Sequence, residues 1–341
     1  MDIPKIYIPK SPLVLSLDLT SRCNLNCAHC LADASPNGAS IPQDMAISII
    51  DEAKRIGVKE LVLGGGEVLL YNNFFDICKY IVSKDLEFAF TTNGTLVSHN
   101  IDRFIELRKH TKSFKVGISL DGHTPELHGY FRPKDTFEPI INAIELLSSI
   151  NINPHVICVL NRENIKQIPE ILNFLSDLKI TNIRLIPFMP VGRGTRYKCE
   201  MLSAKEFHTI LKQKNIWMEK SGVNIAIHMP WEFLFQPPKD RCPTPCEAGY
   251  VRLWIDFKGD ILPCAYLTDS IIGNIYRDKI EDIWINSPIL NELRDSTMLK
   301  GACSTCEFRE GCRGGCRGLA QFLKGDYLCT DPYCPIVNQE Q

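Results

Sequence analysis

Apolar residues alternate with polar ones over short stretches, then recur every three or four positions, and this change of period repeats down the chain. Residues 13–20 (LVLSLDLT) read as a strand. Residues 42–56 follow as a helix, with Ile47, Ile50 and Ala53 on one face and Asp44 near the start. ELVLGGGE (60–67) reads as a strand running into glycines, FFDICKYIVSKD (74–85) as a helix and EFAFTTNG (87–94) as a strand. A helix near 98–110 precedes a strand at 114–122, a helix at 136–149 precedes a strand at 154–161, and a helix at 165–178 precedes a strand at 182–189. Six strands alternating with helices predict a parallel sheet with crossover helices. Each strand ends in a polar or glycine-rich loop, and in a parallel α/β barrel the chemistry gathers at those ends. The predicted fold class is α/β, a partial (β/α)6 barrel of the TIM type, two units short of closure. A short extension covers 1–12 and the barrel 13–230. Beyond residue 230 Pro, Gly and Cys interrupt the pattern, which predicts a cysteine-rich module over 231–341 with a small core held by metal.

With 341 residues, 45% of them hydrophobic, the chain can bury one large core and a smaller one. A net charge of -2 without a basic block gives no reason to expect nucleic acid. The first residues lack the pattern of a secretory signal, and no apolar run is long enough for a bilayer. The expectation is a cytoplasmic protein with no membrane partner. Fifteen cysteines change the picture. Three lie in residues 23–30 and nine in 242–334, with Cys78, Cys158 and Cys199 between. In a reducing compartment such clusters favour metal ligation over disulfides.

Cys23, Cys27 and Cys30 form C-x-x-x-C-x-x-C at the end of the first strand. Three thiolates on one loop leave one iron of a cubane without a protein ligand, and an open position is what a reactive metal site needs. A zinc loop is the rival, with His29 as the fourth ligand. Gly64, Gly65, Gly66 and Glu67 end the second strand, where glycine lets backbone approach a ligand.

These motifs together resemble the radical S-adenosylmethionine enzymes. The resemblance implies that Cys23, Cys27 and Cys30 hold a [4Fe–4S] cluster whose open iron is chelated by S-adenosylmethionine. Reductive cleavage then gives a 5′-deoxyadenosyl radical, which takes a hydrogen atom from substrate. It also implies that Gly65, Gly66 and Glu67 meet the amino group of S-adenosylmethionine, with Val68 where the family usually has proline. Ser119 and Asp121 match residues that face ribose or substrate, and Arg132 one that pairs with the methionine carboxylate. His29 is expected near adenine, with main-chain atoms of 186–189. Thr92, Asn93 and Asn161 sit at strand ends, where they touch the ligand or cap helices.

The tail reads Cys303-x2-Cys306-x5-Cys312-x3-Cys316, then Cys334, with Cys242, Cys246 and Cys264 upstream and Gly259 before the last of these. This resembles the SPASM module, which carries two auxiliary iron–sulfur clusters, so the resemblance implies three [4Fe–4S] clusters in all. Eight thiolates suffice for two cubanes, and the resemblance assigns Cys246, Cys264 and Cys316 to the inner one, with Cys242 or an open site as its fourth position, and Cys303, Cys306, Cys312 and Cys334 to the outer. Cys329 is an alternative to Cys334, and a pair of zinc ribbons is the rival reading. Cys78 and Cys158 are expected as packing residues and Cys199 as an inert loop thiol.

The closest-looking subgroups modify ribosomal peptides, as in pyrroloquinoline quinone or mycofactocin maturation, or trim tetrapyrroles in haem pathways. A peptide or protein substrate is the first expectation, a tetrapyrrole or small molecule the second. The resemblance also implies a flavodoxin- or ferredoxin-type electron donor. A non-catalytic electron-transfer protein is the reading from another class.

Overall fold

The computed structural model describes residues 7–227, 229–236 and 245–338. Strand β1 (Val14–Thr20) shows how the chain builds its sheet. Leu15, Leu17 and Leu19 are fully buried on one face. Ser16, Asp18 and Thr20 are buried on the other, so both faces are covered and the polar one borders an interior. The repeat continues through α1 (Gln43–Ile56), β2 (Glu60–Gly65), α2 (Phe74–Ser83), β3 (Glu87–Thr92), α3 (Ile101–His110) and β4 (Phe114–Ser119). A single turn, α4 (Pro125–His128), leads to α5 (Phe137–Ser149), β5 (His155–Leu160), α6 (Ile168–Asp177) and β6 (Asn182–Pro187). These are the six expected β/α units. All but the first predicted strand run one to three residues too far at their C-terminal ends, because those residues leave the ladder to form the functional loops.

Helix α7 (Ala204–Ser221) and the short β7 (Asn224–Ala226) extend the pattern beyond expectation. The helix begins with a capping box between Ser203 and Glu206, a start signal that stood in the sequence. Strands β8 (Arg252–Ile255), β9 (Asp260–Leu262) and β10 (Gly273–Asn274) follow, then α8 (Ile280–Asn286), α9 (Pro288–Arg294), α10 (Arg309–Cys312) and α11 (Arg317–Lys324).

One ten-stranded sheet contains all the strands, in the order β10-β9-β8-β1-β2-β3-β4-β5-β6-β7. β8 pairs in parallel with β1, placing Val14 opposite Arg252. The cysteine-rich region therefore does not have only a separate small core, as its sequence suggested. It covers the edge that β1 would otherwise expose. Trp284 donates its indole N–H to Pro9 O at 2.9 Å, and Arg252 Nη1 donates to Ser16 Oγ at 2.8 Å, across the same seam. Ile186 of β6 and Trp254 of β8 line one cavity although β1 to β5 lie between their strands, so the sheet curls into an open barrel.

Candidate active site

β1 releases the chain at Thr20, and the loop beyond it folds back on its own stem. Ser21 N donates to Ala39 O and Cys23 N to Ser35 O. The loop after β6 straps it from outside: Arg193 donates to the carbonyls of Cys27 and Ala34, and its Nε donates to Asp33 at 3.0 Å. Cys23, Cys27 and Cys30 are free thiols facing a cavity of about 320 Å³ at the C-terminal ends of the strands. Sulfur accepts backbone N–H groups: Leu25 N donates to Cys23 Sγ and Ala34 N to Cys30 Sγ, both at 3.4 Å. Such bonds favour sulfur carrying negative charge and tune cluster potentials. Burial, with Glu67 and the neighbouring thiols adding, pushes Cys23 up to about 11, and burial raises Cys27 as well. A bound metal would reverse this, since a coordinating thiol is deprotonated outright. Three thiols on one pocket wall, with N–H groups aimed at sulfur, fit a three-thiolate cluster site.

The glycines after β2 also pack against the protein itself. A Cβ on Gly65, whose φ is +112°, would stand 2.1 Å from Thr20 O, and one on Gly66 2.2 Å from Arg22 O. They are needed because this segment lies against the stem of the cysteine loop, to which Gly66 N and Glu67 N donate. Gly65 and Gly66 still line the cavity, but Glu67 does not. Its carboxylate is fully buried and accepts from Thr92 Oγ1 and Asn93 N at 2.7 Å each and from Leu69 N at 3.1 Å. Glu67 therefore locks the end of β3. Thr92 and Asn93 both reach the cavity, and Asn93 Nδ2 lies 3.8 Å from Cys23 Sγ.

Ser119 and Arg132 line the cavity; Asp121 and Asn161 do not. Asp121 is fully buried, accepting from Arg132 Nε at 2.6 Å and Val159 N at 2.8 Å. Burial works against its charge, but Arg132, helped by His29 and His128, holds its carboxyl below the usual range. Asp121 thus fixes Arg132 and β5 instead of facing ribose. Asn161 Oδ1 accepts from the N–H groups of Glu163 and Asn164, the capping role among the two expected for it. His29 stacks on Phe131 with ring centroids 5.0 Å apart, and its buried Nδ1 has no hydrogen-bond partner. Burial and Arg132 lower its pKa to about 4, so the ring is neutral. Residues 186–189 line the cavity as expected.

Sequence reasoning missed the opposite wall. Trp254 of β8 and Tyr266 reach in from the C-terminal region, and Asp18 comes from β1. Asp18 Oδ2 accepts the Trp254 indole N–H at 2.9 Å, while its buried Oδ1 has no partner. The signal was a charged residue at an inward position of a buried strand. Burial raises the Asp18 pKa to about 7, with the Trp254 bond opposing and Asp256 adding to the rise. The folded state therefore holds this proton between about pH 4 and 7, where the unfolded chain has lost it. Stability from this group is present at low pH and declines as pH rises through that window, by up to about 1.4 kcal/mol per pH unit. Comparing denaturation midpoints from pH 5.5 to 8, wild type should lose stability relative to Asp18→Asn, with the difference levelling off above pH 7.

The C-terminal thiols form two sets. Cys246, Cys264 and Cys316 lie close enough to act on one another's charge, and so do Cys303, Cys312 and Cys334. Cys306 shares a turn with Cys303, to whose carbonyl its N–H donates. Cys329 instead bonds to Asp326. Cys242 lies outside the described residues. Backbone N–H groups again point at sulfur: Tyr266 N donates to Cys264 Sγ and Leu319 N to Cys316 Sγ. Asp331, fully buried, links the sets, accepting from Cys316 N, Trp231 Nε1 and Tyr333 N. Arg317 is buried beside Cys246, donates to the carbonyls of Gly315, Tyr327 and Cys329 and acts on the charge of Asp331, while its Nη2 has no hydrogen-bond partner. Among the described residues no three His, Cys, Asp or Glu side chains are drawn close enough to share one ion. Cys78 and Cys158 are buried in α2 and β5, and Cys199 is exposed.

The radical SAM superfamily model matches residues 17–175, which include the cysteine loop and the glycine segment. The chain carries a radical SAM domain. The SPASM model, an iron–sulfur cluster-binding domain, matches residues 246–307. The radical SAM chain is 27% identical over 357 residues to an AdoMet-dependent heme synthase of Methanosarcina barkeri, spanning 96% of this chain and 98% of that relative. It is 28% identical over 338 residues to the mycofactocin maturase MftC of Mycobacterium tuberculosis, spanning 95% and 83%. Its fold is similar to that of Streptococcus suis SuiB crystallised with the precursor peptide SuiA, with a TM-score of 0.79 at 21% identity, covering 96% of this chain and 76% of that one. The protein is an enzyme, and its superfamily works with a [4Fe–4S] cluster and S-adenosylmethionine. No helix among the described residues is long and apolar enough to cross a membrane.

Proposed function

We propose that this radical SAM enzyme oxidises a peptide or protein substrate by hydrogen-atom abstraction and passes the second electron to auxiliary clusters. The observation that carries the reading is the single cavity that has the three-cysteine loop on one wall and Tyr266, next to Cys264, on the other. The bound cluster would supply reductive cleavage of S-adenosylmethionine to the 5′-deoxyadenosyl radical. Cys23, Cys27 and Cys30 hold that cluster. Arg132, oriented by Asp121, offers its guanidinium to the methionine carboxylate, and Gly65 and Gly66 bring backbone close to the amino group. Neutral His29 and residues 186–189 flank the adenine. Two auxiliary [4Fe–4S] clusters occupy the remaining sites: Cys246, Cys264 and Cys316, with Cys242, for one, and Cys303, Cys306, Cys312 and Cys334 for the other. The barrel comprises residues 13–230 and the auxiliary module 231–341. Electrons come from a flavodoxin or ferredoxin in the cytoplasm.

A tetrapyrrole substrate is the second reading, favoured by the alignment with the heme synthase over nearly its whole length. Anaerobically reconstituted protein, reduced and given S-adenosylmethionine, should release 5′-deoxyadenosine and methionine. Absence of 5′-deoxyadenosine would sink both readings. A precursor peptide that returns lighter by two hydrogens supports the first, and a tetrapyrrole that loses side-chain carboxyl groups supports the second.

A further inference from the structure

The chamber at the cysteine loop does not end at Tyr266. A second cavity of about 110 Å³ adjoins it, and Ile186, Pro187, Phe188, Met189 and Tyr266 line both. Met229 and Leu319 add to its apolar lining, Cys316 stands on its wall, and Arg184 is the one charged residue among the described residues that line it. Arg184 lies on β6 between Ile183 and Leu185, which are buried at 1% and 2% on the helix side. Strand alternation turns Arg184 and Ile186 inward.

Three other cations of the barrel are each paired with a carboxylate. Arg132 has Asp121 at 2.6 Å, Lys115 has Glu60 at 3.0 Å and Arg252 has Glu247 at 2.7 Å. Among the described residues no carboxylate stands within ion-pair distance of Arg184. Glu247 attracts it only from farther off, while Arg252 repels it. His155 adds no negative charge: its ring leans over Gly117, where a Cβ would stand 3.0 Å from Nε2. A half-buried guanidinium with no carboxylate in contact is costly unless an anion reaches it. Apolar walls beside one guanidinium suit a single carboxylate on an apolar stem, which can accept two parallel N–H bonds.

We propose that Arg184 anchors a carboxylate of the substrate beside Tyr266, while the reacting carbon lies in the larger chamber by the cysteine loop. The proposal rests on the radical reading of that larger chamber. A peptide C-terminus and a tetrapyrrole propionate share this chemistry.

The test uses oxidised holoenzyme, with iron content checked for every variant, and saturation-transfer NMR with propionate and propionamide. Propionate should bind wild type about tenfold more tightly than the amide, a margin in the range of a charge-assisted bond. The preference should persist in Arg184→Lys and vanish in Arg184→Met. Equal binding of acid and amide to wild type, or a preference that survives in Arg184→Met, overturns the proposal. Displacement of propionate by N-acetyl-Ala-Ala but not its amide assigns the anchor to a peptide terminus. Displacement by mesoporphyrin but not its dimethyl ester assigns it to a propionate. If neither displaces propionate, the anchor is not a substrate site and the proposal falls. Binding needs no turnover, so a wild type that binds propionate yet forms no 5′-deoxyadenosine condemns the radical reading and spares the anion site.

Discussion

Replacing Cys23, Cys27 or Cys30 singly by alanine should reduce 5′-deoxyadenosine release to background. On the proposed reading of three cubanes, the protein should keep about eight of roughly twelve irons, since four belong to each cubane. The two effects separate because the thiol sets are held by different backbone. The first loop is strapped by Arg193 and by the segment 64–67, neither of which touches the C-terminal sets. Thiol removal leaves that strapping in place, so the variants should fold. Iron assay with anaerobic product analysis checks both halves. Loss of all the iron in any one variant would mean that the three sites assemble as a unit.

The largest stability effect is expected at Asp121. Its carboxylate carries no weight in lining the cavity, yet it joins three elements: Arg132 before α5, Val159 on β5 and, at 3.8 Å, His29 in the cysteine loop. Asp121→Ala removes the counter-charge of a guanidinium whose side chain is only 9% exposed. Breaking a buried pair from one side costs on the order of 3–5 kcal/mol, because the remaining ion stays buried and unpaired. Chemical denaturation of the holoenzyme should show that loss. A variant within about 0.5 kcal/mol of wild type, the usual range of a surface substitution, would show that Arg132 finds water or another partner. Binding of S-adenosylmethionine should weaken as well, because Arg132 loses the group that aims it.

Much of this was legible in the sequence because it rests on period and spacing. The six β/α units follow from alternation, and the cysteine loop from its position after the first strand. The division of the later thiols into two sets comes from the resemblance to the SPASM module; the fold brings Cys246, Cys264 and Cys316 near one another, and likewise Cys303, Cys312 and Cys334. Other features depend on distances across the sheet, which no local pattern encodes. Glu67 and Asp121 carry conspicuous motif positions, yet their carboxylates are spent on backbone and arginine, and only the fold reveals which way they turn. Asp18 and Arg184 looked like polar residues in strand patterns. They become chemistry only when the sheet curls and sets β6 and β8 around one space. The register of β8 against β1 was likewise unreadable, since four residues of ordinary composition decide it.

That register has a consequence for anyone treating the C-terminal region as a detachable cassette. Trp254 and Tyr266 are wall panels of the reaction chamber, and they hang from a strand zipped along β1, the strand that feeds the cysteine loop. Cutting the chain near residue 230 would unroof the chamber and leave β1 as a raw edge open to another molecule's strand. A graft from a relative would work only if its strand met β1 in the same register, because a one-residue slip turns Trp254 away from Asp18 and out of the chamber. Exchange of substrate range between such enzymes by swapping whole modules is constrained by this one four-residue seam.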